Sequence, residues 1–243
     1  MLLFVLILYG LIGFILASFI HETGHLLIAL FYKWKFRLLI VGPLCWERTD
    51  STQPIKFRFE FNPLYWGGVS SAMPEDSQLV NPTIWRKILI SGPLLSIIVS
   101  ILLIPVLFLT RSYFVLLLIA ESFGMGVICI LPFPLRTGIT YSDGYRYWRL
   151  SRNGVEKVEE EALLNLSLLD LLYPSRPRLE EVKAMLSSLL ESKDYTYRYF
   201  ANYQLYAISE QENNTLERKH YLDELIHIES KTPKTIRKLY KIP

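Results

Sequence analysis

The hydrophobic and polar positions of the chain divide it into an apolar part and a mixed part. Residues 2–31 and 86–131 are strongly apolar, whereas residues 151–243 mix charged and apolar positions. A membrane-spanning helix needs about 20 mostly apolar residues at a rise of about 1.5 Å each. The pattern therefore predicts a membrane-embedded body followed by a soluble tail.

Three segments are long and apolar enough to be predicted as spans. They cover about residues 2–31, 85–109 and 113–131. Because only three residues separate the second span from the third, these two form an antiparallel hairpin. The first segment lacks the basic start of a secretory signal, and its apolar run is longer than a usual signal core. We therefore expect it to be a transmembrane helix that is retained.

The loop between the first two spans, residues 32–84, is predicted to be rich in β-structure. Residues 55–61 alternate apolar and charged positions, and residues 34–40 alternate similarly before a break at Gly42-Pro43. The pattern predicts a small antiparallel β-sheet associated with the membrane. Since an extended peptide can pair with an exposed sheet edge, one of these two segments is expected to lie near a reactive site and hold a substrate.

The tail is predicted to be all-helical. The expected helices cover residues 155–172, 179–192, 195–210, 215–230 and 233–240. They resemble tetratricopeptide-like stacking, but no clear repeat period is visible, and a plain helical bundle is an equal alternative. The predicted fold class is a mostly α, polytopic membrane protein. Its domains are a membrane-embedded core over residues 1–150 and a helical domain over residues 151–243.

Charge adds an orientation to this picture. Eight Lys and Arg residues lie within residues 32–87, which are the loop and the first residues of the second span, whereas the hairpin on the other side carries only Arg111. The positive-inside rule then predicts that the loop and the tail are cytoplasmic and that the N-terminus is outside. A net charge of +3 and the lack of a recognisable motif give no reason to expect nucleic-acid binding.

One motif carries candidate chemistry: His21-Glu22-Thr23-Gly24-His25, at the end of the first span. On a helix, residues four apart share a face, so both imidazoles can reach one zinc ion. Glu22 lies beside that face, where it can act as the catalytic acid and base. The alternative is a pair of structural histidines. A Glu between two His in a membrane helix is costly unless it serves a function, so the metal site is favoured.

A catalytic zinc usually has three protein ligands, so one more ligand is expected. Because no other His lies in the membrane core, the candidates are the carboxylates of Asp143 and Glu121. Asp143 follows the third span and returns to the level of His21 and His25, whereas Glu121 lies in mid-span. Depth therefore favours Asp143. Glu121 is left to interhelical hydrogen bonding or to the handling of substrate or water.

Three short motifs carry a resemblance to a known family. They are His21–His25 followed by Ala29, Gly92-Pro93-Leu94-Leu95, and Leu131-Pro132-Phe133-Pro134 followed by Ser142-Asp143-Gly144. In order and spacing, residues 10–150 resemble the site-2 protease family of intramembrane zinc metalloproteases. The resemblance implies a three-helix core and zinc held by two His and Asp143, and the place of Glu22 beside the two His predicts that it activates zinc-bound water. It also implies cleavage of a peptide bond within or near a transmembrane segment.

The chain departs from the family pattern where substrate contacts are expected. Family members often carry Asn at positions near Ser96 and Cys129, and the stretch between Pro134 and Asp143 is longer here. Ser96, Cys129 and, within the longer stretch, Thr140 are the predicted substrate-binding residues.

These observations predict an integral protein of a prokaryotic plasma membrane, with its active site near the cytoplasmic face. The expected partners are the lipid bilayer, a membrane-protein or peptide substrate, and a cytosolic protein at residues 151–243. An alternative is a catalytically inactive family member that serves as a membrane scaffold or binding protein through its tail. A transporter is disfavoured because three spans are few.

Overall fold

Three apolar stretches form helices long enough to cross a membrane. The computed structural model describes residues 2–48, 53–62, 65–74, 81–137, 139–172 and 179–241. The candidate spans are Leu3–Phe31, Pro82–Thr110 and Tyr113–Ile130, close to the three predicted ones. The predicted fold class is confirmed, since the chain is mostly helical with three such helices and a small antiparallel sheet.

The chain divides into two compact units. The first comprises Met1–Phe133 and Ser142–Tyr147, and the second comprises Pro134–Tyr141 and Trp148–Pro243. The candidate spans and the larger sheet belong to the first unit, and the tail helices belong to the second.

The first unit is built on four apolar helices. They are α1 (Leu2–Phe31), α2 (Pro82–Leu102), α3 (Ile104–Thr110) and α4 (Tyr113–Ile130). The second span contains both α2 and α3, which are separated at Leu103. Pro105, the second residue of α3, has no N–H for the carbonyl one turn earlier, which accounts for the break. Helices α1, α2 and α4 pack against one another in all three pairs.

The loop after α1 forms a four-stranded antiparallel sheet with the order β3-β2-β1-β4. Its strands are β1 (Lys35–Val41), β2 (Leu44–Glu47), β3 (Lys56–Phe59) and β4 (Val69–Met73). Ile40 pairs with Cys45 on one side and with Val69 on the other. Strand β1 is therefore an inner strand, and β3 and β4 are the edges.

The sheet runs back along α1. The turn between β1 and β2 places Gly42 at a φ of +55°, where a Cβ atom would lie 2.9 Å from Cγ1 of Ile15. Ile15 precedes the end of α1 at Phe31 by 16 residues, about four helical turns. Gly42 thus provides both the left-handed backbone and the close approach that seat this hairpin against the membrane helix.

The second unit is helical except for a short hairpin of β5 (Arg136–Thr137) and β6 (Thr140–Tyr141). Helix α5 (Asp143–Ser151) contributes its last residues to this unit. The tail helices are α6 (Val155–Leu172), α7 (Leu179–Leu190), α8 (Tyr195–Gln211), α9 (Thr215–Glu229) and α10 (Lys234–Leu239). They match the five expected helices closely, and α6 packs on α7, α7 on α8, and α8 on α9.

A buried polar network lies inside the second unit. The Arg149 guanidinium contacts the Glu159 carboxylate at 2.6 Å, and Arg136 pairs with Asp194. The Tyr141 hydroxyl donates to Asp194 Oδ2 at 2.6 Å, which ties the β5–β6 hairpin to the start of α8. Burial raises the pKa of the neighbouring Tyr197, so its phenol stays neutral inside this unit.

Candidate metal centre

The imidazoles of His21 and His25 meet on one face of α1. Both side chains are buried, and their Nε2 atoms lie 3.2 Å apart. This approach follows from the four-residue spacing, which places the two side chains one turn apart on the same helix face.

Asp143 brings a carboxylate oxygen to the same point. It is the first residue of α5, and its Oδ2 lies 3.1 Å from His21 Nε2 and 3.4 Å from His25 Nε2. The next residue, Gly144, makes this position accessible, because a Cβ atom there would stand 2.2 Å from the Ile130 carbonyl oxygen. Glycine thus lets the start of α5 contact the end of α4.

Two further contacts orient the imidazoles. His25 Nδ1 donates to the Ile88 carbonyl at 2.6 Å, so the proton of a neutral ring is on Nδ1 and the Nε2 lone pair is free to bind a cation. Ser96 Oγ lies 3.3 Å from His21 Nδ1 and can orient that ring in the same way. Both partners belong to α2.

The three converging atoms fit a zinc ion. Two atoms bound about 2.0–2.1 Å from one zinc at a tetrahedral angle stand roughly 3.3 Å apart. The pairwise distances of 3.1, 3.2 and 3.4 Å agree with that spacing. Nitrogen and carboxylate donors are also ordinary zinc ligands, and two His with one carboxylate is a set found in catalytic sites.

The charge of Asp143 suits the same role. Burial by itself raises the pKa of this carboxyl, but without a metal the positive charges of protonated His25 and His21, together with their hydrogen bonds, outweigh burial and hold the pKa below its ordinary value. The carboxylate is therefore ionised, as a metal ligand must be.

Two glycines allow α1 and α2 to approach at the level of the histidines. A Cβ atom on Gly24 would lie 2.5 Å from the Ser91 carbonyl oxygen, and one on Gly92 would lie 2.3 Å from His25 Nε2. The backbone of α2 therefore forms one wall of the site, and a side chain at position 92 would occupy the place of the His25 ring.

The Gly92→Ala substitution is expected to weaken zinc binding by at least about tenfold, comparable to the loss of an outer partner of a ligand. The added methyl group displaces the His25 ring from the site. Metal analysis after dialysis against a zinc buffer measures the effect. Gly124→Ala in α4 is the matched control, because a Cβ atom there would meet nothing within 4 Å. Equal zinc contents in the two variants would contradict the close approach.

Glu22 lies between the two imidazoles in the chain and beside the start of β4. It is buried, and a Cβ atom on Gly68 would lie 2.7 Å from Glu22 Oε1 and 2.9 Å from its Cγ. Gly68 has a φ of +105°, a conformation that favours glycine. The backbone immediately before β4 thus packs on the Glu22 side chain.

The three predicted substrate-binding residues lie in three different surroundings in the structure. Ser96 is buried in α2 and contacts the ring of His21. Cys129 is partly buried near the end of α4, where its carbonyl oxygen would lie 2.8 Å from a Cβ atom on Gly144. Thr140 lies in β6 and pairs with Thr137 in the second unit.

The strand beside Glu22 differs from the two that were expected near the reactive site. Residues 34–40 form most of β1, whose two edges are occupied by β2 and β4, so this strand has no free edge for a peptide. Residues 55–61 contain β3, at the opposite edge of the sheet. The neighbour of Glu22 is β4, whose sequence Val-Ser-Ser-Ala-Met shows too little apolar alternation to reveal a strand.

Glu121 is separate from the three converging atoms and lies against two glycines of α1. A Cβ atom on Gly13 would stand 2.3 Å from Glu121 Oε2, and one on Gly10 would stand 3.7 Å from Oε1. Within the described parts of the chain, Oε2 is buried without a hydrogen-bond partner. The carboxylate group that approaches the histidines is that of Asp143.

The site combines two imidazoles from one helix, the glutamate between them in the chain, and a carboxylate that is distant in sequence but close in space. Set among helices long enough to span a membrane, this arrangement is typical of a membrane metallopeptidase. The chain belongs to Peptidase family M50, the site-2 protease family, whose model matches residues 9–239. The expected family membership is thereby confirmed. Searches of the curated proteins and of the solved structures found no match.

Family membership carries a general statement of activity. The family consists of intramembrane zinc metallopeptidases, and it indicates an integral membrane protein in a lipid environment with membrane-protein substrates.

Proposed function

We propose that this protein is a zinc-dependent endopeptidase that hydrolyses a peptide bond within or near a transmembrane segment. The observation that carries the proposal is the convergence of His21 Nε2, His25 Nε2 and Asp143 Oδ2 at distances that suit one zinc ion. When bound there, zinc supplies a Lewis acid that polarises a carbonyl and brings the pKa of water towards about 7.

Glu22 is the proposed acid and base. As a carboxylate next to the ligand histidines, it accepts a proton from the attacking water and passes that proton to the nitrogen of the leaving amine. Its contact with the Gly68 backbone holds the side chain in place, because the buried carboxylate has little room to rotate. Ser96 and the Ile88 carbonyl orient the two imidazoles.

The edge of β4 is the proposed binding place of the substrate backbone. A helical substrate has no free backbone groups at the scissile bond, so the segment must first become extended. Strand β4 pairs with β1 on one side only among the described strands, and it begins next to Glu22. An extended peptide that pairs with this edge would pass close to the proposed base.

The predicted orientation places this site near the cytoplasmic face of the membrane. Residues 32–87, the loop and the start of α2, carry eight basic residues, whereas the connection between α3 and α4 carries only Arg111. The histidines lie in the last three turns of α1, on the side of that basic loop.

The test of this function combines metal removal with the mapping of cleaved peptides. In membrane vesicles that contain the protein, we expect new peptide termini within or near the spans of other membrane proteins, detected by mass spectrometry. A chelator should stop their formation, and added zinc should restore it, because the ligand residues remain in place. The chelator saturated with zinc beforehand is the control. Unchanged termini after metal removal would refute a zinc peptidase and leave a scaffold role.

A further inference from the structure

Two residue pairs of α2 and α5, the helices that contribute Ile88 and Asp143, form reciprocal arginine–aromatic contacts. The Arg86 guanidinium of α2 lies 4.8 Å from the ring centroid of Tyr147 in α5, and its Nη2 donates to the Tyr147 hydroxyl at 3.4 Å. In the opposite direction, the Arg146 guanidinium of α5 lies 5.5 Å from the ring of Trp85 in α2. We call Trp85, Arg86, Arg146 and Tyr147 the arginine–aromatic clasp.

The clasp is also joined to the end of α1. The rings of Trp34 and Trp85 stack at 5.9 Å with an interplanar angle of 15°. Trp34 is buried and follows the helix that carries both histidines. The clasp therefore connects the three elements that contribute groups to the metal centre: α1, α2 and α5.

Each side of the clasp is close in the chain to a group of the metal centre. Ile88, whose carbonyl accepts from His25 Nδ1, is two residues after Arg86. Asp143 is three residues before Arg146, which is one turn of the same helix. The contact of the Arg146 guanidinium with the Trp85 ring thus limits both the rotation and the sliding of the helical turn that carries Asp143.

Helix α5 needs such a restraint because the chain before it is not helical. Residues 131–142 separate the end of α4 from Asp143, and among the described residues of this stretch the regular elements are the two-residue strands β5 and β6. A carboxylate ligand must lie within a few tenths of an ångström of its metal, so a free turn would hold zinc weakly. The Gly144 contact with Ile130 limits the approach of α5 to α4, and the clasp adds contacts between α5 and α2.

We propose that the arginine–aromatic clasp positions Asp143 against His21 and His25 and thereby sets the affinity of the site for zinc. Its four members are positioning residues, since none of them supplies an atom to the converging set. The inference rests on the proposed zinc site. Beyond the zinc site itself, it identifies the contacts that hold Asp143 near His21 and His25, although Asp143 is more than 100 residues away from them in the chain.

The test measures the zinc affinity of the full-length protein in detergent by competition with a fluorescent chelator. We expect Tyr147→Leu and Arg146→Gln each to weaken zinc binding by about tenfold, the lower end of what outer partners of metal ligands contribute. Tyr147→Phe should retain most of the affinity, because it keeps the ring under the Arg86 guanidinium. Tyr113→Leu, at the exposed first residue of α4, is the matched control and should bind as the wild type does.

A double-substitution cycle separates positioning from general loss of structure. In an Asp143→Ala background the clasp has no ligand to position, so Tyr147→Leu should cause no further loss of affinity. An equal loss in both backgrounds would overturn the proposal, and so would wild-type affinity in Tyr147→Leu and Arg146→Gln. In those cases the wild type still binds zinc and the proposed function survives. If the wild type bound no zinc, both the clasp and the proposed function would fail.

The visible spectrum of the cobalt-substituted protein gives a second measurement that a purely structural role would not change. Cobalt in place of zinc reports the geometry of its ligands. We expect Tyr147→Leu to shift this spectrum towards that of Asp143→Ala, and Tyr147→Phe to leave it as in the wild type. A wild-type spectrum in Tyr147→Leu would show that Asp143 is held without the clasp.

Discussion

The Glu22→Gln variant is expected to bind zinc as the wild type does. Its rate of peptide cleavage is expected to fall by about 10³-fold. Glutamine has nearly the same shape as glutamate, so its packing against Gly68 is preserved. Its amide does not accept a proton from water at neutral pH, and general acid–base catalysis typically contributes about 10²–10⁴-fold to a rate. The converging atoms come from other residues, so the metal is retained.

Two measurements on the same preparation check this expectation. Metal analysis gives the zinc content, and mass spectrometry of vesicle proteins gives the rate at which new termini appear. Glu210→Gln, at an exposed glutamate of α8 that pairs with Arg218, is the matched control and should retain full activity. Wild-type cleavage by Glu22→Gln would assign the base to another residue. Loss of zinc in this variant would show that Glu22 supports the metal rather than the proton transfer.

The Asp143→Ala variant is expected to lose zinc affinity by more than about 100-fold, beyond the range of outer-partner substitutions. Its carboxylate supplies one of three converging donor atoms, and alanine leaves two imidazoles. Cleavage should fall in parallel, because the remaining pair does not retain the metal at cellular zinc concentrations. Zinc competition and the mapping of peptide termini measure the two effects.

The control for this substitution is Asp223→Ala, at an exposed aspartate of α9. This control also removes an aspartate carboxylate, but from the surface of the second unit, so zinc content and cleavage should not change. Far-ultraviolet circular dichroism checks that the helical content of both variants is that of the wild type. Full zinc stoichiometry in Asp143→Ala would exclude this residue as the third ligand.

The helices of this protein were predictable from local pattern. A span is defined by length and apolar composition, and an amphipathic helix by its 3.6-residue period, so both are visible in one segment at a time. The expected helix over residues 155–172 coincides with α6, and the three spans differ from prediction by a few residues. Helix α5 escaped prediction because it is short and opens on Asp143-Gly144, a pair typical of turns.

The sheet was only partly predictable. Strands β1 and β3 alternate apolar and charged residues, which a sequence pattern detects. Strand β4 consists largely of small residues, and its extended form is stabilised by pairing with β1 rather than by its own composition. Strand order also depends on pairing, so the inner place of β1 and the edge beside Glu22 were not visible in the sequence.

By itself, the sequence determined the three spans, the tail helices and the family resemblance. It also determined the pair of imidazoles with Glu22, because a four-residue spacing becomes a common face on any helix. It also made Asp143 the favoured third ligand through its place after the third span. Only the tertiary structure decided how these groups meet. The Ile88 carbonyl, the bare backbone of Gly92 and the contact of Gly68 with Glu22 join residues that are distant in the chain. Such contacts depend on how helices and strands pack, which no local pattern encodes.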